Sequence, residues 1–585
     1  MNKLGLLLSA MGGAPAPSQQ YVDDVFATYV HTGTGASTSI VNGIDTSTKS
    51  ALVWTRQRNA NAASLLFDTL RGTTYYVSAN ATAINTTLAN SLTAFNTNGF
   101  TLGTASSVNG SGSLYVSWTF QKANKFFDLQ TKVHTTGTPS TVDLSSLGTV
   151  GFVVVKSLTS ASDWWSWHIS NTAGNNQRFN TTAAQTTTNA NLSVSGTTLT
   201  ISGSHASGTY LIYAWAHDTA ADGLIRCGTY TGNGSATAGP VIDLGWEPQW
   251  ILVKSRTATS NWAMIDVSRG WPANANQSML YVNGATVEAT SSQFATITTT
   301  GFQVTTTGGD YNTNSGGYNY IAIRRSNKPP TSGAQVFQPL VYTGNNATIR
   351  SVNVGIPVDM MWLRQRNGTG SGNAGFLHAN RIRGQNFLKT ALDFQGEAAT
   401  ANVLAQQASG YGTSFTHPAG IWIGNKSGTT ITNGNINANT ASNNHIALGF
   451  KRASRFMDIV YYAGNSTEGR MLAHGLGTVP ELVIIRAANT PTNYTVWHKD
   501  MAYNYQLNLD VDGAQAGPYN DGLHGFPTAT ALDLSAYARV NGAFNYLAWV
   551  FATLPGISKV GSFVGNGAAA DIDCGFSTGA RFVLV

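Results

Sequence analysis

The 585-residue sequence is poor in charge: Asp, Glu, Lys and Arg together make up 10% of it. Helix surfaces need long charged side chains, so this scarcity argues against a helical protein. The net charge of +6 is small and scattered, in short groups such as "RIRG" and "RR", and excludes the basic stripe of a nucleic-acid binder. Only two cysteines occur, Cys227 and Cys574. They are too far apart for a disulfide framework or a zinc site, and buried free thiols are expected. No apolar run approaches the roughly 18 residues of a membrane span, so membrane insertion is not expected. A Walker motif, a nucleophile elbow and an HExxH pair are all missing.

What remains is apolar and turn-rich. Hydrophobic residues make up 42% of the chain and aromatics 10%, enough to build cores and too much for a disordered chain. The length exceeds what one core supports, so several domains are expected. Abundant Thr, Asn, Ser and Gly favour strands and turns. The N-terminal "MNKLGLLLSAMGGAPAPSQQ" has the outline of a short signal peptide, but its apolar run is short. It is read as a structural arm over residues 1–25.

Self-similarity is the dominant signal. "YTGNG" at 230, "YTGNN" at 342, "YAGNS" at 462 and "FVGNG" at 563 mark equivalent points, with weaker forms at 29 and 132. Their spacing is that of domains. After each marker come a turn, an apolar run ("ALVWTRQRN", "GFVVVKS", "QWILVKSR", "MMWLRQRN", "ELVIIRA"), an aromatic segment, in three copies a "GF" step, and a closing strand such as "YLAWVF". Short strands with frequent turns describe an all-β protein of tandem β-sandwiches, jelly-roll-like, arranged as beads on a string. Five complete copies are expected at 26–128, 129–226, 227–335, 336–455 and 456–556, with the start of a sixth at 557–585. The sixth stops at its first apolar strand, so completion by further chain or by another chain is expected. A short helix is plausible at "AATANVLAQQ", residue 398.

"SDWWSWHIS" at 162 aligns with "SNWAMIDVS" at 260 and "TNYTVWHKD" at 492. Trp164 then matches Trp262 and Tyr494, and Trp167 matches Ile265 and Trp497, so these positions are expected in the core. Trp165 matches Ala263 and Thr495; it alone is a candidate for stacking on a glycan. "FDTLRG" at 67 matches "IDVSRG" at 265. Asp68, Arg71 and Gly72, and likewise Asp266, Arg269 and Gly270, are read as a turn device in which the acid accepts backbone N–H bonds and pairs with the arginine. No repeat holds an acidic cluster that the others lack, as a glycosidase pair would require. "DVDG" at 510 lacks the spacing of a calcium loop. No catalytic residue, metal ligand or cofactor is assigned.

The set "DVFATYVHTGTG", "ALVWTRQRN", "LLFDTLRG", "NGFTLGTASSVNGSGSLYVSWTF" and "IRCGTYTGNG…DLGWEPQWILVKSR" resembles a recurring module of tail-fibre-like structural proteins of tailed, marine-type bacteriophages. The resemblance implies a virion location in the phage tail and attachment to the host cell surface. It also implies binding of a host glycan or receptor, without catalytic residues. The arm would then join other tail proteins and assemble a homotrimer. A capsule depolymerase and a bacterial lectin-type adhesin are the alternatives.

Overall fold

The computed structural model describes residues 19–186, 191–271, 277–292, 294–345, 349–367, 377–383, 387–389, 413–415, 417–424, 442–490, 492–510, 514–518 and 521–585. Most of the arm and the segment at 398 lie outside the described residues. The chain is all-β, in five sandwiches of one design. In sandwich 1 the larger sheet runs Phe26–Thr32, Leu114–Gln121, Ala51–Gln57, Leu65–Asp68, Tyr75–Ser78, Thr86–Thr87 in space. The smaller sheet runs Thr38–Val41, Gly99–Leu102, Leu92–Asn96. The members named below are the first strand (Phe26–Thr32), the apolar strand (Ala51–Gln57), the aromatic strand (Leu65–Asp68) and the closing strand (Leu114–Gln121). Sandwiches 2 to 5 repeat the order of the larger sheet, with first strands at Phe127–His134, Ile225–Thr231, Phe337–Thr343 and Met457–Ala463, and sandwich 5 has a smaller sheet of two strands, Arg470–Ala473 and Ala531–Leu534, among the described residues.

Close backbone approach explains two of the repeated glycines. At the "GF" step a Cβ on Gly99 or Gly301 would lie 1.9 Å from the carbonyl oxygen of Ile40 or Ile242. Sandwich 4 uses Gly420 in the same way, 2.0 Å from that of Val352. The third expected "GF" step, Gly525–Phe526, is not such a step: Asp533 Oδ2 stands over Gly525 and Phe526 is 58% exposed. In the marker, Gly33, Gly232 and Gly464 press against the turn that precedes the closing strand. There the buried Asn109, Asn312 and Asn541 accept N–H bonds from Thr34, Asn233 and Asn465. The marker is a structural latch.

The beads-on-a-string arrangement is not observed. Every residue of Val150–Ser157, the apolar strand of sandwich 2, is buried. A two-layer sandwich in water would leave alternate residues of such a strand polar and exposed. Here one face covers the sandwich's own small sheet and the other meets neighbouring sandwiches. Sandwiches 1, 2 and 3 share one core containing Trp54, Trp118, Phe120, Phe152, Trp215, Trp250 and Trp262. Around its centre, Phe120 of sandwich 1 lies 5.8 Å from Trp215 of sandwich 2 and 5.9 Å from Trp250 of sandwich 3.

The contacts run in a cycle. Leu52, Phe152 and Trp250 occupy one position, each opposite the last residue of its aromatic strand: Asp68, His168 and Asp266. Each of these last residues bonds to the closing strand of the next sandwich. Asp68 accepts from Tyr213 Oη at 2.7 Å, His168 Nε2 lies 3.1 Å from the Tyr320 carbonyl, and Asp266 accepts from Trp118 Nε1 at 3.0 Å. Four residues along the apolar strand sit Arg56, Lys156 and Lys254, all 0% exposed. Each reaches back to carbonyls of the preceding member. Lys156 donates to Thr82 at 2.8 Å, Lys254 to Thr182 at 3.1 Å, and Arg56 to Tyr281 and Thr286. Sandwiches 1 to 3 therefore close into a pseudo-threefold ring. Sandwiches 4 and 5 share a second core, which includes Trp362, Phe450, Tyr494 and Trp549. Phe582 of the last segment packs 6.0 Å from Phe450 and 5.5 Å from Phe337.

Candidate functional sites

The first candidate surface surrounds Trp165. Its strand, Trp165–His168, alternates: Ser166 and His168 are buried, whereas Trp165 and Trp167 are half-buried. Trp164, just before the strand, is 0% exposed and donates Nε1–H to the Ala81 carbonyl of sandwich 1 at 3.1 Å. Trp167 was expected in the core and is only partly covered; its counterpart Trp497 is buried, at 5%. The Trp164, Trp262 and Tyr494 equivalence is visible in the backbone. Their N–H groups donate to Asn180, Asn283 and Asp510 at 3.0, 2.7 and 3.0 Å.

Around Trp165, the Arg178 guanidinium carbon lies 5.2 Å from the ring centroid. Arg178 Nε is 3.0 Å from Asp163 Oδ2, and Asn180 donates to Asp163 Oδ1 at 3.0 Å. His205 stands edge-on at 6.4 Å, its pKa lowered by burial. A half-open indole flanked by an arginine, a carboxylate and an amide can cover the apolar face of a sugar while bonding to its hydroxyls.

The turn residues lie inside the ring contacts. Asp68 Oδ1 accepts from the N–H of Leu70 and Arg71, both at 3.0 Å, and Oδ2 from Arg71 Nε at 2.6 Å. Asp266 and Arg269 repeat this at 2.9 and 2.6 Å, with both side chains fully buried. Gly72 and Gly270 follow at φ 85° and 111°. Arg269 also pairs with Glu288 at 2.9 Å, and Glu288 pairs with Arg58 of sandwich 1 at 2.7 Å. Burial alone would raise the Glu288 pKa, but Arg58 and Arg269 hold it below the usual carboxylate range.

The second candidate is a cavity of about 210 Å³ where sandwiches 1, 3 and 4 meet, lined by Phe26, Trp271, Ile297, Arg381, Lys451 and Arg452 among others. A buried charge network forms its wall. Arg452 holds Glu247 in a two-pronged bond at 2.8 and 2.7 Å and Asp458 at 2.8 Å. Arg325 adds to Asp458 at 3.1 Å. Burial would raise the Asp458 pKa, yet Arg325, Arg452 and the Gly475 N–H hold it well below the ordinary range. Glu247 belongs to sandwich 3 and Arg452 to the second group, so this network fastens the two groups together.

Among the described residues no group of three or more His, Cys, Asp or Glu could hold a metal ion, and no helix is long and apolar enough to cross a membrane. Residues 511–513 of "DVDG" lie outside the described residues. Cys227 is buried, and burial raises its thiol pKa; Cys574 is only half-buried. The basic residue of each apolar strand and the Asn of the latch escaped the sequence reading, although both recur in register.

The architecture defines a protein of one three-sandwich ring followed by a pair of sandwiches of the same design. The chain belongs to the family described as a domain of unknown function, DUF7483, whose model matches it twice, over residues 22–327 and 332–585. The first match spans the closed ring and the second spans sandwiches 4 and 5 with the last segment. No curated protein and no solved structure matches the chain.

Proposed function

We propose that the protein is a structural component of a bacteriophage tail, of tail-fibre type, that attaches to glycans on the host surface. The observation that carries this reading is the fusion of three sandwiches around one core. A body of this kind has few independently opening parts, which suits a particle exposed to proteases. The resemblance of the repeat motifs to phage tail modules supports the same reading. In it, residues 1–25 join the chain to other tail proteins and gather three copies, and the Trp165 surface contacts the glycan. No catalytic role or cofactor is assigned.

The test is to probe the full chain against a panel of bacterial surface polysaccharides, measuring both binding and release of reducing ends, with Trp165→Ala beside it. Binding that is lost in the variant, with no reducing ends released, is the expected result. Release of reducing ends identifies a depolymerase. Immunogold labelling of bacterial envelopes instead of phage particles identifies an adhesin. Either result overturns the reading.

A further inference from the structure

The two family units differ in one sector. In the first ring, sandwich 3 covers Phe152, His168, Gln177 and Phe179 of sandwich 2, which are 1–3% exposed. The same four positions in sandwich 5, by register, are Leu482, His498, Leu507 and Leu509, and all four are partly open. On the other flank, Arg56 and Arg58 are 0% and 7% exposed beneath sandwich 3. Their counterparts in the same "RQRN" motif, Arg364 and Arg366, are exposed.

The last segment stands where sandwich 3 begins. Phe582 aligns with Trp250 and packs on Phe337 and Phe450 as Trp250 packs on Phe26 and Phe120. Two of its other apolar residues lack the cover that their counterparts have. Ile572 is 50% exposed against 7% for Ile242, and Val583 is 65% exposed against 0% for Ile251. In sandwich 3 the strand of Ile251 is flanked by the aromatic and closing strands, Ala263–Asp266 and Gly317–Arg324, the strand of Ile242 pairs with Gly301–Val304, and both residues lie in one core.

We propose that this open sector is a docking surface for one further β-sandwich of the same build as sandwich 3. The segment 557–585 would supply its first strands, and the partner an aromatic strand, a closing strand and a carboxylate opposite Arg366. The first ring argues for that occupant, because it shows the equivalent positions covered by such a sandwich. A fit of this kind pairs the open strand edge and buries the apolar face together.

The test extends the full chain after Val585, the counterpart of Val253, with a second copy of residues 254–327. In a Cys574→Ser background, Leu509→Cys is labelled with maleimide, with and without the extension. Labelling slowed at least about tenfold by the extension, as expected for a covered site, supports the proposal. A drop in melting temperature on Arg366→Glu in the extended chain alone supports it as well. An unchanged labelling rate with the extension folded as an independent unit overturns it. An extension that exchanges its amide hydrogens as unfolded chain also overturns it, because the open sector would then fail to hold the segment that the first ring holds at the equivalent positions.

Discussion

The closed ring of sandwiches 1 to 3 and the open pair formed by sandwiches 4 and 5 use the same strands and the same latch, yet bury their side chains differently. In the ring, three buried cations and three strand-end hydrogen bonds form a cycle in which each sandwich holds the next. In the pair, the cycle is interrupted after Phe582, and residues with buried counterparts meet water. A sandwich of this design is therefore not a complete folding unit. Its larger sheet is apolar on both faces and needs two neighbours. Burial of such a face stabilises by about 25 cal/mol per Å² removed from water, so closure accounts for much of the difference between the two halves.

The largest contrast should come from Glu288. Glu288→Ala leaves the buried Arg58 guanidinium without its carboxylate and Arg269 with Asp266 alone, and should cost about 5 kcal/mol. Denaturant unfolding followed in the first ring would measure it, while Arg366→Ala in the second half should change stability by less than about 0.5 kcal/mol. Next comes the aromatic centre. Trp250→Ala should cost about 4 kcal/mol, whereas Phe582→Ala, on a half-exposed ring, should cost no more than about 1.5 kcal/mol. Calorimetry of the two variants separates them.

Acid should weaken both halves, because His378 of sandwich 4 is also buried, which lowers its pKa to about 3. His168 is buried, which lowers its pKa to about 4; its Nδ1 accepts the Ser170 N–H while Nε2 faces the Tyr320 carbonyl. The folded state thus takes up its proton less readily than the unfolded chain, so stability is lost as pH falls from 6.5 towards 4. The loss should reach about 2 kcal/mol by pH 5. A melting-temperature series over that range, compared with His168→Gln, would read it. A small effect belongs to the surface: Trp165→Ala should alter stability by no more than about 1 kcal/mol, which leaves the polysaccharide-binding test interpretable.

The strand content and the repeat register were legible in the sequence because apolar runs and turn residues are local signals. The Trp164, Trp262 and Tyr494 alignment is an example. The ring was written there too, in runs such as "GFVVVKS" that offer no polar face, but a run covered on both sides does not say what covers it. Trp167 shows the limit from the other side: its copy Trp497 is buried in one core with Leu523, while in sandwich 2 the same position is only half-buried. The basic residues Arg56, Lys156 and Lys254 carry no local signal of burial, because the carbonyls that hold them belong to neighbouring sandwiches. The Trp165 surface was legible as an exception within the repeat, but Arg178, Asp163 and His205 reach it only through folding.

The central claim is that sandwiches 1 to 3 unfold as one unit. Native-state hydrogen exchange of the full chain carrying Trp250→Ala tests it most directly. The account predicts that amides of the apolar strands Ala51–Gln57 and Val150–Ser157 lose protection together with those of Pro248–Ser255, while Leu482–Ala487 keeps its own rate. Loss of protection confined to residues 225–325 would contradict it and restore a chain of independent domains.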